Sequence, residues 1–93
     1  MKGFAREKVK NGKLLYVKVD HDGTVINHIE ILGDFFIYPE EGLGKIEKGL
    51  VNVPVKRDEM IKRIDRIVSS GRMELAGIDS GSIADTILKA VFG

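Results

Sequence analysis

The chain contains no cysteine and no tryptophan. Without cysteine there is no disulfide framework, no thiolate zinc site and no cysteine nucleophile. A single domain of 93 residues buries only about 60–65% of the surface its unfolded chain exposes. It must therefore be held by its own core, or by a core shared with a partner. Long hydrophobic runs are also missing, so nothing reaches the ~18–20 apolar residues of a bilayer-spanning helix. The start, Met1-Lys2-Gly3-Phe4-Ala5-Arg6, is basic but has no hydrophobic stretch behind it, which excludes a secretory signal. No membrane partner is expected, and the cytoplasm is the expected compartment.

Histidine is scarce, with only His21 and His28. With no cysteine, a metal site would have to be completed by carboxylates alone. His21 reads as a turn residue and His28 as a residue on the polar side of a strand. Asp20-His21-Asp22-Gly23 has the opening of a calcium loop, but Thr24 and Ile31 stand where that loop needs a further oxygen ligand and a bidentate Glu. Eleven glycines form no phosphate-binding G-x-x-x-x-G-K-[ST] unit and no strand–G-x-G-x-x-G–helix unit. Ser69, Ser70, Ser80 and Ser82 have no histidine in a triad arrangement. An independent catalytic centre has no supporting constellation.

What is present is typical of a small globular protein: 43% hydrophobic and 31% charged residues. The net charge of +1 hides an uneven distribution. Residues 1–19 carry Lys2, Arg6, Lys8, Lys10, Lys13 and Lys18 against Glu7. Residues 20–47 carry seven acids against Lys45, and residues 48–72 are basic again. Such alternation orients a domain on a partner by complementary potential, and differs from the overall basic character of a free nucleic-acid binder.

The first half carries strand signals. Asn11-Gly12 suits the positive φ angles of a tight hairpin turn and separates Phe4–Lys10 from Lys13–Asp20. Leu15, Val17 and Val19 alternate with Tyr16 and Lys18, giving one buried face and one more polar face. A third strand spans Thr24–Leu32, with Ile29 and Ile31 in phase. Val25 and Ile26 are out of phase, which predicts a bulge near Asn27-His28. Phe35–Tyr38 supplies a fourth strand if it pairs.

The second half carries helix signals. Pro39 suits the first helical position, with Glu40 and Glu41 at the positive end of the helix dipole. Leu43, Ile46 and Leu50 share a face, while Gly42, Gly44 and Gly49 each weaken that helix by about 1 kcal/mol relative to Ala. A second helix runs from about Arg57 to Ser70, with Met60, Ile61, Ile64, Ile67 and Val68 as its apolar stripe and Gly71 as its stop. Asp79 caps a third helix containing Ile83, Ala84, Ile87, Leu88 and Val91. Residues 1–93 thus form one α+β domain: a small antiparallel meander of three to four strands, followed by three helices packed on one face.

Two segments stand out as surfaces. Lys8, Lys10 and Lys13 flank the first turn and make a basic hairpin tip. Gly33-Asp34-Phe35-Phe36 opens on a pair that turns the chain sharply. Adjacent strand residues point to opposite faces, so one phenylalanine packs inward and the other is free to meet a partner.

In order and spacing, Gly12-Lys13-Leu14-Leu15, Val17, Val19, Gly23, Ile26, Ile29, Ile31 and Gly33-Asp34-Phe35-Phe36 resemble the C-terminal accessory domain of lipoate-protein ligases. Leu75-Ala76-Gly77-Ile78-Asp79-Ser80-Gly81-Ser82-Ile83-Ala84 resembles that domain's entry into its final helix. The likeness covers the chain from about Lys8 onwards. Since the chain opens almost directly on this domain, it looks like the separate small subunit of a split, archaeal-type ligase. The resemblance implies a heterodimer with a catalytic large subunit. The complex would use ATP, Mg and lipoate to form lipoyl-adenylate, then lipoylate a lysine of acceptor lipoyl domains. The family's lipoate pocket and catalytic lysine belong to the large subunit, and their motifs do not occur here. No catalytic or cofactor-binding residue is therefore expected in this chain, and its role is accessory. Docking is expected at Lys8, Lys10, Lys13, Gly33, Asp34, Phe35 and Phe36. No nucleic acid is expected as a partner; the alternative is a free-standing module binding nucleic acid through the basic hairpin.

Overall fold

Three hydrophobic, alternating segments pair side by side. In the computed structural model, which describes residues 1–9 and 12–93, β1 (Lys2–Lys8), β2 (Leu14–His21) and β3 (Ile26–Gly33) form an antiparallel meander in that order. Lys10 and Asn11 lie outside the described residues, and with them part of the expected turn; Gly12 has φ +73°, a conformation glycine adopts without strain. The alternation is that of a sheet covered on one side. Leu15, Val17, Val19, Ile29 and Ile31 are each at most 2% exposed. Near the far end, Asp20 pairs with His28 and His21 with Ile26. Asn27 is thus the extra residue, and the bulge expected at this point turns Ile26 back to the inner face, where it is fully buried.

The fourth strand forms in an unexpected place. β4 (Phe36–Tyr38) pairs not with the meander but with β5 (Glu74–Ala76), making a separate two-stranded ribbon. A three-residue Glu-Leu-Ala segment is too short to show a periodicity, so only tertiary context reveals β5.

The helices are α1 (Gly42–Gly49), α2 (Arg57–Ser70) and α3 (Ser80–Phe92). The first begins later than Pro39 suggests. Pro39 lies in the preceding turn, where its carbonyl accepts the Gly42 N–H at 2.9 Å, and Glu40 and Glu41 precede the first helical turn. Two of its glycines provide room for neighbours: a Cβ at Gly42 would approach Ile37 to 2.8 Å and the Met73 sulfur to 3.1 Å, and one at Gly49 would collide with Ile67. The second helix has the expected span, and Met60 and Ile64 are fully buried. Gly71 caps it with φ −87°, while the left-handed residue is Arg72 at φ 50°. Asp79 caps the third helix as a capping box: Asp79 Oδ1 accepts the Ser82 N–H at 2.7 Å, and Ser82 Oγ accepts the Asp79 N–H at 3.1 Å.

All three helices lie on the inner side of the meander. α3 packs on β1 and β2, α1 on β3, and α2 against both other helices. The approach at β1 is close, since a Cβ at Gly3 would collide with the Ala90 carbonyl. The outer edge of β3 is covered in part. Its Ile31 N–H donates to Glu47 Oε2 at 2.7 Å, and Ile26 exchanges hydrogen bonds with Val53 and Asn52. Such closure keeps an edge from templating further strands. Among the described residues no helix is long and apolar enough to cross a membrane.

Candidate docking surface

Lys8 ends β1 opposite Leu14, and Lys13 immediately precedes β2; both are exposed. The Val9 N–H donates to the Lys13 carbonyl at 2.8 Å and closes the hairpin. Gly33 ends β3 opposite Leu15. A side chain there would collide with the Leu14 carbonyl and come within 3.0 Å of the Phe35 ring. The next residue is tied to the same carbonyl, since the Asp34 N–H donates to it at 3.0 Å. The chain is thereby bent off the meander and into the ribbon.

This bend separates the two phenylalanines. Phe35 packs partly against the core. Phe36 is 72% exposed, as is Tyr38 at 65% on the same side of β4, while Ile37 between them is buried. Phe35 and Lys13 approach each other across Gly77, where a Cβ would lie 3.4 Å from Lys13 Cγ and 3.5 Å from Phe35 Cα. The structure therefore gathers Lys8, Lys13, Gly33, Asp34 and Phe35 around the Leu14 end of the sheet, and Phe36 projects from the adjoining ribbon. Lys10 lies outside the described residues.

Sequence reasoning missed a second exposed group. Phe4 and Leu32 are each 58% exposed, and Leu14 and Tyr16 are half-buried. All four alternate with the core residues and so lie on the uncovered face of the meander. The Phe4 and Tyr16 rings meet at a tilt of 39° with centroids 6.4 Å apart, and Tyr16 lies between Arg6 and Leu32 in the register. The signal was present: with Leu15, Val17 and Val19 pointing inward, Leu14 and Tyr16 must point outward.

Other candidates have structural roles. His21 is not a turn residue: it ends β2, is buried, and its Nδ1 accepts the Gly23 N–H at 2.9 Å. His28 is exposed on the outer face. Asp22 holds the β2–β3 turn by accepting the Thr24 and Val25 N–H groups at 2.8 and 2.9 Å. The bond from Val25, then that from Thr24, keeps its carboxyl below the usual range. A shallow groove of about 360 Å³ near the start of α3 contains Arg57, Asp85, Lys89 and Glu7. These four charges pair off: Arg57 with Asp85 at 2.7 Å and Lys89 with Glu7. The hydrogen bond to Asp85 pushes the Arg57 guanidinium above its usual range. Among the described residues, no three histidine or carboxylate side chains come together to hold a metal ion.

No family model matches the chain. It is 38% identical over 61 residues to lipoate-protein ligase A subunit 2 of Thermoplasma acidophilum, a stretch covering 66% of this chain and 57% of that protein. The chain thus spans rather more than half of that relative's length. Its fold superposes with a TM-score of 0.75 and 25% identity on a chain from the solved structure of a bi-partite lipoate protein ligase and its E2 lipoyl domain, also from Thermoplasma acidophilum. That match covers 100% of this chain and 97% of the other. The resemblance read from the Gly-Lys-Leu hairpin and the Gly-Asp-Phe-Phe bend is borne out in both sequence and fold.

Proposed function

We propose that the chain is the non-catalytic accessory subunit of a two-chain lipoate-protein ligase working in the cytoplasm. The observation that carries this reading is the end-to-end structural likeness, 100% of one chain and 97% of the other. In this assignment the large subunit holds ATP, Mg and lipoate. The small one completes or orders the nucleotide site so that lipoyl-adenylate forms. Closure by a second chain excludes water and protects a reactive mixed anhydride from hydrolysis. Acceptor lipoyl domains are reached through the complex.

Docking is assigned to Lys8, Lys10, Lys13 and Gly33-Asp34-Phe35-Phe36. The half-packed Phe35 anchors the bend while the projecting Phe36 meets the large subunit. Support comes from the exposure of Phe36 beside Tyr38, since aromatic side chains are enriched at interfaces. The alternative, a free-standing nucleic-acid module, draws no support from either likeness.

Two measurements test this reading. Mixed with the large subunit from the same organism, the chain should co-elute as a one-to-one complex in gel filtration. Titrated alone with ATP in a calorimeter, it should give no binding heat. Separate elution, or micromolar ATP affinity of the isolated chain, would overturn the assignment.

A further inference from the structure

We infer that the uncovered face of the β1–β3 meander is the main docking surface for the large subunit, and that the Phe36 ribbon is its margin. This rests on the accessory-subunit reading and says which surface carries it. Among the described residues, the large hydrophobic side chains that stay exposed are Met1, Phe4, Leu32, Phe36, Tyr38 and Phe92. None is on α1 or α2. Phe4 and Leu32 stand on the outer sheet face, with half-buried Tyr16 directly beside Leu32 and half-buried Leu14 two residues further along β2.

A standard interface covers about 800 Å² of accessible surface on each partner. With about 3.3 Å per residue and about 4.8 Å between strands, a two-stranded ribbon of three residues offers roughly 100 Å² in projection, and the three long strands roughly 350 Å² before side-chain relief. The ribbon alone falls far short. The sheet face is the larger part of any interface that includes it.

Across the outer face Lys2 sits opposite Asp20, and Lys18 is flanked by Glu30, so that end is balanced. At the Leu14 end, Arg6 lies opposite Tyr16 and Lys8 opposite Leu14, with Lys13 close by, and these three cations outnumber Asp34, whose N–H is tied to the Leu14 carbonyl. The face is therefore an apolar cluster with a rim that is cationic on balance. Its complement is a flat apolar surface edged with carboxylates, which the large subunit would present.

The experiment is hydroxyl-radical footprinting of the chain, alone and saturated with the large subunit, together with affinities of the Leu32→Asp and Phe36→Asp variants. Phe4 and Tyr16 should become protected in the complex. Leu32→Asp should weaken binding at least a hundredfold, and more than Phe36→Asp, with circular dichroism and melting unchanged. A complex in which Phe4 and Tyr16 stay as reactive as in the free chain would overturn this inference and leave the accessory-subunit reading standing. Absence of any complex would overturn both. Protection in the isolated chain, rising with concentration and with a dimeric mass, would assign the face to a second copy and overturn it as well.

Discussion

The two faces of one small sheet are built from the same three strands and the same hydrogen-bond ladder, yet they differ in what covers them. On the inner face Leu15, Val17, Val19, Ile29 and Ile31 meet the helices and are sealed from water. On the outer face Phe4, Leu14, Tyr16 and Leu32 lie among lysines and arginine and remain open to varying degrees. The inner face is the more apolar of the two, yet the outer one still sets four large apolar side chains among its charges. The inner face accounts for folding, and the outer face is surplus to it. A domain this small can leave part of its apolar surface unburied when that surface belongs to a second chain.

Neighbouring residues give the sharpest way to break this contrast. Ile31 and Leu32 are consecutive and point to opposite faces. Ile31→Ala should lose about 2–5 kcal/mol of folding stability, a large share of the roughly 5–15 kcal/mol typical of a domain. Leu32→Ala should stay within about 0.5 kcal/mol of the parent. Urea melts of the two variants measure both, and equal losses would erase the distinction between the faces.

The same contrast repeats one strand away. Gly3 faces α3 and Phe4 faces outward. Gly3→Ala would drive a methyl group into the Ala90 carbonyl, and helix backbone has little freedom to retreat, so a loss of about 1–3 kcal/mol is expected. Phe4→Ala should leave the thermal midpoint nearly unchanged.

How much of this was legible in the sequence follows from the same geometry. The inner face was readable, because Leu15, Val17, Val19, Ile29 and Ile31 repeat with period two and the slip at Asn27 shows as a break in phase. The span of α2 and the Asp79 cap were readable for similar reasons, a clear stripe and a capping side chain. The partner of Phe36–Tyr38 was not readable, since β5 is three residues long and lies between two helices. Nor was the close packing at Gly42 and Gly49: propensity registers only the weakening of a helix, not the Ile37, Met73 and Ile67 side chains that fill the space. His21 was misplaced because strand β2 runs on past Asp20, one residue into the expected turn. For the candidate site, the Gly-Asp-Phe-Phe bend and basic hairpin were picked out directly, whereas the outer sheet face emerges only once Phe4, Tyr16 and Leu32 are aligned by register.

Charge on the outer rim should act on association and not on folding. Replacing Lys8, Lys10 and Lys13 together with Ala should leave the melting temperature almost unmoved. The rate of association with the large subunit should fall about threefold to tenfold at low salt, with a flatter salt dependence. Stopped-flow mixing across a salt series measures this. Unfolding of the triple variant would show that the lysines hold the hairpin together.

The smallest effect is expected at Asp22, in the turn that belongs to neither face. Its folded-state pKa is lowered by the backbone bonds from Val25 and Thr24. A lowered carboxyl contributes stability above its unfolded value, and that contribution is lost as pH falls through the folded value. Any advantage in melting temperature over Asp22→Asn at pH 7 should therefore shrink as the pH is taken below about 4. An advantage that grows with acidity would contradict the turn geometry described above.

The central claim is that this chain makes a catalytic partner competent for activation chemistry without performing it. The most direct measurement is ATP-dependent lipoyl-adenylate formation by the large subunit, with pyrophosphate release followed as the small chain is titrated in. Adenylation should be negligible with either chain alone and rise to a plateau at one equivalent. Full adenylation by the large subunit alone, unchanged by a saturating amount of the small chain, would contradict it.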